Sequence, residues 1–318
     1  MKARGWARLA LLAVGTALGL LGAELFVRAF VSVRDVGPPL TEYDPVLGQR
    51  IKRNFECVRE TPEFRMRFSS NSLGWRGPEP AGPQAEIVFL GDSFTMGYGV
   101  DDGREFPQLL GRALAVPVAN LGLGGTGQGR WAPLLRGEAS TFQPKTVVLQ
   151  LSSNDVEDDV AEGLASLDDR GELVHRAPSA PSPGRRLQAA LELVPGLDRS
   201  HLVGWLRQWR SRGSRTTEDV LASTDSRGLA LATALVDESI RLCAERRWRT
   251  LVFSADMSPV EAAPFEDVCR KRGVPFVRMP SKSEAPDLYF VVDGHWTEAG
   301  HRRAAEMLEP WLRRDGDQ

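Results

Sequence analysis

The Gly-Asp-Ser tripeptide at residues 91–93 directly follows a compact apolar run at residues 86–90. An apolar run ended by glycine is typical of a buried parallel strand, so Ser93 is expected beyond the strand's carboxyl end, where such sheets place their sites. The N–H groups of a following helical turn would stabilise negative charge there. We therefore interpret Ser93 as a nucleophile. The alternative interpretation is an Asp-Ser helix cap beside a glycine turn.

A serine nucleophile needs a base, and the chain has four histidines: His175, His201, His295 and His301. His295 follows the last predicted strand and would reach the same sheet edge as Ser93, whereas the other three lie in an irregular stretch or in the predicted terminal helix. Asp293 precedes it by two residues, and in an extended segment their side chains project to one side. Asp293 could then accept the imidazole N–H, which predicts a Ser93–His295–Asp293 triad.

Two further loops offer donors for an oxyanion hole. The glycine-rich loop at residues 120–127 follows the second predicted strand and can present backbone N–H groups. The loop at residues 152–155 follows the third, and the side-chain amide of Asn154 could donate. A nucleotide loop is disfavoured because no Gly-Lys-Ser/Thr follows the glycines, and the residues around His295 lack metal-ligand spacing. We expect no cofactor and no metal.

The elements that would position these loops alternate between strand and helix five times. Predicted strands lie at residues 86–90, 116–119, 146–151, 250–253 and 274–277. Predicted helices lie at residues 105–114, 128–139, 229–248, 260–272 and 297–313. This order predicts an α/β fold in which a mostly parallel sheet is covered by helices on both faces.

Two stretches fall outside this alternation. Residues 157–227 are interpreted as an insertion, which at this length is either a functional lid or disordered. Within it, Trp205 and Trp209 lie one helical turn apart; packing against the core is predicted, with contact to a membrane or a sugar as alternatives. Residues 34–84 contain alternating polar and apolar residues at 64–68, which predicts a short edge strand packed on the main body.

The amino terminus carries an export signal, since basic residues precede fifteen uncharged residues at 9–23. That run spans about 22 Å at about 1.5 Å per residue, short of a ~30 Å hydrocarbon core. Glu24 and Arg28 can pair one turn apart and snorkel to the headgroups, so we predict a signal anchor that continues past Glu24. A cleaved signal peptide and a buried core helix are the alternatives. Residues after 33 would lie outside the cytoplasm by the positive-inside rule.

Composition excludes several classes of protein. The chain has 318 residues, of which 42% are hydrophobic and 26% charged, enough for a large core. Its formal net charge of -2 provides no field that would attract nucleic acid. Cys57, Cys243 and Cys269 lack zinc or redox spacing and are predicted to be buried thiols. A disulfide between Cys243 and Cys269 is the alternative in an exported chain.

Over residues 85–318 these blocks resemble the SGNH/GDSL hydrolase superfamily. The Gly-Asp-Ser tripeptide with its trailing glycines matches the first block, which implies that Ser93 is the nucleophile and a backbone oxyanion donor. Asn120 with Gly125 matches the second block, and Gly122 is the rival alignment for the oxyanion glycine. Asn154 matches the third block, although serine replaces the usual glycine before it. The resemblance implies a three-layer α/β/α sandwich with a five-stranded, flavodoxin-like sheet.

The last block, Asp293-Gly294-His295 followed by Trp296, is one residue shorter than the usual Asp-x-x-His. This Asp-x-His-Trp form is similar to that of membrane-associated, alginate-type O-acetyltransferase-like proteins. The chain as a whole resembles a bacterial, membrane-anchored subgroup. The implied domains are a signal anchor or signal peptide at 1–33, a membrane-proximal segment at 34–84 and a hydrolase domain at 85–318.

Three functions remain open at this point. The leading hypothesis is an extracytoplasmic serine ester hydrolase that cleaves acyl esters, such as O-acetyl groups of a glycan. A polysaccharide O-acetyltransferase would use the same acyl-enzyme, and a noncatalytic glycan-binding or assembly protein would keep only the fold. The expected partners are an acyl-ester substrate and the membrane, and no nucleic acid.

Overall fold

A five-stranded parallel sheet is the centre of the protein in the computed structural model, which describes residues 2–31, 33, 36–79, 84–181, 184, 194, 196–212 and 226–313. The strands are β1 Thr41–Glu42, β2 Arg50–Ile51, β3 Glu56–Glu60, β4 Arg65–Ser69, β5 Ile87–Gly91, β6 Val118–Gly122, β7 Thr146–Leu151, β8 Ala165–Leu167, β9 Leu173–His175, β10 Arg249–Ser254 and β11 Phe276–Arg278. The helices are α1 Lys2–Phe30, α2 Ser93–Met96, α3 Phe106–Leu114, α4 Trp131–Arg136, α5 Glu138–Thr141, α6 Asp155–Glu162, α7 His201–Arg212, α8 Ser226–Glu245, α9 Pro259–Arg272 and α10 Glu298–Leu312.

The order of strands in the sheet is β11-β10-β7-β5-β6. The chain runs from β5 to β6 on one side and then returns to β7 on the other, so the topology switches at β5. In sheets of this order, sites form outside the carboxyl ends of the strands at that switch. The register brings Gly91 beside Gly122 and Leu90 beside Leu149, so the loops after β5, β6 and β7 begin at the same edge. The predicted α/β fold with a five-stranded, mostly parallel sheet is confirmed.

Both faces of the sheet are covered, which explains the uninterrupted apolar runs in its strands. All five residues of β5 are buried. Val88 and Leu90 pack into one hydrophobic cluster and Ile87 and Phe89 into another, as alternating side chains of a strand must. The chain therefore buries a core on each side of β5 and fixes the direction of its carboxyl end.

One predicted helix differs from the structure. The helix predicted at 128–139 is a 3₁₀ turn at Gln128–Arg130 followed by the short helices α4 and α5, which Gly137 separates. The strand predicted at 64–68 is β4, which pairs with β3 in a separate two-stranded sheet. Its buried side chains, Met66 and Phe68, belong to the main core, as the alternating pattern predicted.

The chain divides into two units. The larger unit comprises residues 40–58, 63–181 and 216–318 and contains the sheet; the smaller comprises residues 1–39, 59–62 and 182–215. The predicted insertion at 157–227 takes in the end of α6, the antiparallel β8–β9 hairpin and α7. Its residues 182–183, 185–193, 195 and 213–225 lie outside the described residues.

The smaller unit contains α1, an apolar helix near the amino terminus. Its stretch Trp6–Phe30 is 25 residues long and contains an 18-residue window with a mean hydropathy of 2.0. Among the described residues it is the one helix long and apolar enough to cross a membrane. Glu24, within this stretch, is hydrogen-bonded to the start of α7. Its carboxylate accepts hydrogen bonds from the Ser200 hydroxyl at 2.7 Å and from the N–H groups of His201 and Leu202, each at 2.9 Å.

Candidate active site

Three side chains singled out from the sequence meet beyond the carboxyl end of β5. Ser93 Oγ lies 2.7 Å from Nε2 of His295, and Nδ1 of the same imidazole lies 2.5 Å from Oδ1 of Asp293. The side chains of His295 and Asp293 are 24% and 23% exposed, so the imidazole is shielded but reachable from solvent. This is the spatial order of a nucleophile, a base and the group that orients the base.

The turn that carries the predicted nucleophile, called the nucleophile turn below, is built by Asp92, the residue before Ser93. Asp92 caps α2 because its Oδ1 accepts from Phe94 N at 2.8 Å. The helix ends after four residues at Gly97, whose φ of 83° is a left-handed conformation that favours glycine. Ser93 is therefore the first residue of a helical turn, and its N–H has no partner within that turn. The alternative interpretation, a helix cap, also holds, because Asp92 caps α2. The same tripeptide therefore contains both the helix cap and the predicted nucleophile.

Gln150, in β7, secures this turn from the neighbouring strand. Its Oε1 accepts from Asp92 N at 3.1 Å, from Thr95 N at 3.2 Å and from Thr95 Oγ1 at 2.8 Å. A single buried carbonyl thus fixes the backbone on both sides of Ser93.

The predicted base, His295, is carried by a turn and not by the extended segment that the sequence suggested. Residues 291–293 form a turn, closed by bonds from Phe290 N to His295 O at 2.8 Å and from Gly294 N to Phe290 O at 3.2 Å. Gly294 has a φ of 89°. The expectation of extended backbone between Asp293 and His295 was therefore wrong, because the left-handed glycine, not strand geometry, brings the two side chains together.

The glycine-rich loop separates the two candidate oxyanion glycines. The N–H of Gly122 donates to Asn120 Oδ1 at 3.0 Å, and a Cβ at Gly122 would lie 2.2 Å from Met96 N, so this glycine packs against α2. Gly125 is exposed, has a φ of 69° and has open space beside its Cα. Its N–H meets no protein acceptor among the described residues. The geometry favours Gly125 over Gly122 as a donor.

Asn154 lies at the cap position of α6, at the same edge of the sheet. Its Nδ2 donates to Asp158 Oδ2 at 2.5 Å, and its Oδ1 accepts from Ser152 Oγ at 2.8 Å. A side-chain amide carries two N–H bonds, so the contact with Asp158 orients the group and leaves one N–H for a ligand. Its role as an oxyanion donor remains a prediction.

Buried carboxyl groups lie directly behind the nucleophile turn. Burial raises the pKa of Asp92 to about 6, against the opposing effect of the hydrogen bonds from Ser152 and Phe94. Burial also holds the pKa of Asp155 well above its usual range. Ser152 Oγ lies 2.7 Å from Asp92 and 3.1 Å from Asp155. Asn154 Oδ1 lies 2.8 Å from the same hydroxyl, so three acceptors surround the single proton of Ser152.

Sequence reasoning missed Asp256, which follows β10 and reaches the same edge. Its carboxylate accepts from Ser153 N and from Ser153 Oγ, each at 2.9 Å, and burial raises its pKa. Its position just after the fourth predicted strand was the available signal. Asp256 thereby ties the Asn154 loop to the next strand.

Sequence reasoning also missed three residues that precede the sheet and hold the loops of the site from outside. Gln49 Nε2 donates to Gly124 O at 3.2 Å, in the glycine-rich loop. Arg76 donates to the carbonyl oxygens of Gly97 and, at 2.6 Å, of Val100, beyond the nucleophile turn. Glu63 accepts from the backbone of the turn that carries His295.

The other three histidines make different contacts. His175 Nε2 contacts Glu238 Oε2 at 2.7 Å, and His201 begins α7. His301 is fully buried in α10, where its Nδ1 accepts from Phe106 N at 3.3 Å. Burial lowers the pKa of His301 to about 3, so it stays neutral. Among the described residues, no group of three or more histidine, cysteine or acidic side chains is arranged to hold a metal ion.

Comparison with known proteins gives a family and distant structural neighbours. No curated protein matches the chain in sequence. Similar solved structures include a GDSL-like lipase from Bacteroides thetaiotaomicron, with 13% identity over 71% of this chain and 86% of that one and a TM-score of 0.41. An acetyl xylan esterase gives 11% identity, 71% and 99% coverage and a TM-score of 0.43. An alpha/beta hydrolase from the metagenome of Lake Arreo, Spain, has 15% identity over 73% of this chain and 98% of that one, with a TM-score of 0.42.

The family model is the more informative comparison. It matches residues 89–303, a range that begins within β5, ends within α10 and includes Ser93, Asn154 and His295. The chain belongs to the GDSL-like lipase/acylhydrolase family.

Proposed function

We propose that this protein is a serine ester hydrolase that works through an acyl-enzyme on Ser93. The observation that carries the proposal is the 2.7 Å contact between Ser93 Oγ and His295 Nε2, two residues 202 positions apart in the chain. A hydroxyl held this close to an imidazole nitrogen can lose its proton to that nitrogen as it attacks a carbonyl carbon. A noncatalytic protein of the same fold would have no need for this contact.

The reaction proceeds in two halves. Ser93 Oγ attacks the ester carbonyl while His295 takes its proton; His295 then gives that proton to the leaving alcohol, and an acyl-enzyme remains. A water molecule, deprotonated by the same imidazole, releases the acid and restores the serine. Asp293 accepts the Nδ1–H bond throughout, which keeps Nε2 free to act as the base and stabilises the imidazolium.

The tetrahedral intermediate carries an oxyanion that needs donors already in place. The N–H groups of Ser93 and Gly125 and the second N–H of the Asn154 amide supply them in this proposal. The exposed position and left-handed backbone of Gly125 support its role, since its N–H meets no protein acceptor among the described residues.

The substrate class that we propose is a small acyl ester, such as an O-acetyl group on a glycan. The Asp293-Gly294-His295-Trp296 block, with its resemblance to O-acetyltransferase-like proteins, is the reason to keep acyl transfer to a sugar as the second candidate. Both reactions share the first half and differ in whether water or a sugar hydroxyl takes the acyl group.

We also propose that α1 is retained as a membrane anchor, with the catalytic domain outside the cytoplasm. The contact between Glu24 and the start of α7 supports retention, because cleavage in the apolar run before Glu24 would remove most of the helix that presents this carboxylate. Mass analysis of the membrane-extracted protein tests the point. A mature amino terminus near residue 20 would show that α1 is a cleaved signal peptide.

Labelling with a fluorophosphonate probe and turnover of an acetyl ester of p-nitrophenol test the enzymatic proposal. We expect the wild type to label and turn over, Ser93→Ala to do neither, and Ser283→Ala, which removes another exposed hydroxyl, to behave like wild type. Full turnover by Ser93→Ala would refute the assignment. Adding an oligosaccharide acceptor separates the candidates, since a transferase yields acetylated sugar whereas a hydrolase yields only acetate.

A further inference from the structure

Glu63 binds the turn that carries the base, although it lies before the family match at residues 89–303. Its carboxylate accepts from Val292 N, with Oε1 at 3.0 Å and Oε2 at 2.9 Å, and Oε2 also accepts from Asp293 N at 2.6 Å. These partners are 229 and 230 residues away in the chain. One of these hydrogen bonds is therefore made to the backbone of Asp293, the residue that orients the imidazole in the proposed mechanism.

Lys282 also binds the tip of this turn, since its Nζ donates to Val291 O at 2.6 Å. The bonds that close the turn use the N–H groups of Phe290 and Gly294, not those of its tip. Val291 and Val292 are 79% and 70% exposed, so their side chains contribute little packing. The hydrogen bonds from Val292 N and Asp293 N to the Glu63 carboxylate therefore hold the part of the turn from which the Asp293 side chain projects.

Phe64, the next residue, packs against the start of the same turn through aromatic contacts. Its ring centroid lies 4.8 Å from that of Phe290, where the turn begins, and 5.4 Å from that of Tyr98, beyond the nucleophile turn. The Tyr98 ring lies 4.9 Å from the imidazole of His295. Residues 63 and 64 together touch both halves of the site without touching Ser93.

We propose that Glu63 is a positioning residue that sets the distance between Asp293 and His295; the inference rests on the proposed function. The hydrogen bonds that Glu63 makes to this turn end on backbone N–H groups, so it acts through the backbone of Asp293. Displacements near 1 Å at a catalytic group cost roughly 10²-fold in rate, which makes a hydrogen bond to the backbone of Asp293 kinetically visible.

The chemistry of the contact calls for a carboxylate. Two backbone N–H groups point at one side chain: Oε2 accepts from both Val292 N and Asp293 N, and Oε1 also accepts from Val292 N. A glutamine of the same shape keeps one acceptor oxygen, and its NH₂ group then faces Val292 N in one orientation and both N–H groups in the other. Glu63→Gln therefore loosens the turn without removing volume, whereas Glu63→Asp keeps both acceptors but shortens the reach by one methylene.

The test compares steady-state kinetics of Glu63→Gln with those of a matched control, Asp168→Asn. Asp168 Oδ1 also accepts from two backbone N–H groups, those of Arg170 at 2.8 Å and Glu172 at 2.9 Å, but in the β8–β9 hairpin. We expect Glu63→Gln to lower kcat about 10- to 100-fold with KM within twofold, and Asp168→Asn to leave both unchanged. Glu63→Asp should fall in between, and it serves as the test variant should Glu63→Gln fail to fold.

A double variant separates positioning from general stability. If Glu63 acts through Asp293, Glu63→Gln adds less than a twofold loss of kcat in an Asp293→Asn background. An unchanged kcat in the single variant, or the full loss repeated in that background, would overturn the proposal. Wild-type protein without Ser93-dependent turnover would instead defeat the proposed function, so the two failures are distinct.

Discussion

The Nδ1 atom of His295 lies 2.5 Å from Oδ1 of Asp293, although only Gly294 separates the two residues. A spacer of one residue in extended backbone would direct both side chains to one side but leave them parallel. Here Gly294, with a φ of 89°, bends the chain so that the carboxylate meets the imidazole edge. The shortened final block is therefore compatible with a triad for a local conformational reason.

Gly294→Ala tests that reason. Space beside Gly294 is open, so a methyl group meets no clash and the change penalises only the left-handed backbone, by about 1 kcal/mol. We expect kcat to fall by up to about fivefold, the factor to which about 1 kcal/mol corresponds, as the turn relaxes and Asp293 moves. Gly273→Ala is the control, since Gly273 has a φ of 67° and open space at the end of α9. Equal losses of activity in both variants would argue against a specific role for the Gly294 turn.

Asn154→Ala should lower kcat by about 10²- to 10³-fold, the usual effect of losing one oxyanion donor. The Asp158→Asn variant provides a graded comparison, because it weakens the 2.5 Å bond that orients the amide while keeping the amide itself. We expect a smaller loss, about tenfold, in that variant. Initial rates with an acetyl ester measure kcat for both variants. If Asn154→Ala kept the wild-type kcat, Asn154 would not be an oxyanion donor.

The positions of Ser93 and His295 could be predicted because apolar strands fix where their following loops begin. The choice of Gly125 over Gly122 came from the family resemblance and not from the chemistry of the residues, because whether an N–H is already bonded depends on the folded geometry, in which Gly122 N donates to Asn120 Oδ1. Glu63 was missed for a related reason. It binds backbone N–H groups more than 200 positions away, and a bond to backbone leaves no residue pattern at its far end.

Arg76→Met should destabilise the larger unit by about 3 kcal/mol or more. Arg76 is 1% exposed, and its guanidinium bonds to Asp102 Oδ1 at 3.0 Å and to several carbonyl oxygens that follow the nucleophile turn. Methionine fills the volume but leaves those buried acceptors without donors. Urea unfolding measures the change, and Arg67→Met, at a side chain that is 72% exposed, is the control with little expected effect. Equal stability of the two variants would contradict this account of Arg76.

Stability should also depend on His301 as pH falls. Burial lowers its pKa from 6.5 to about 3, so between these values the unfolded chain binds a proton that the folded protein does not. The free energy of unfolding therefore decreases as pH falls from about 6.5 toward 3, by up to about 1.4 kcal/mol per pH unit.

His301→Gln isolates this contribution, because glutamine keeps a carbonyl oxygen that can accept from Phe106 N but cannot titrate near neutral pH. The raised pKa of Asp92 acts with the opposite sign, lowering stability as pH rises through about 6, but both proteins share it and it cancels in their difference. We expect the stability advantage of wild type over His301→Gln to shrink steadily from pH 7 to pH 4.5 in urea unfolding. A difference that is constant with pH would mean that the folded protein accommodates a charged imidazole in α10.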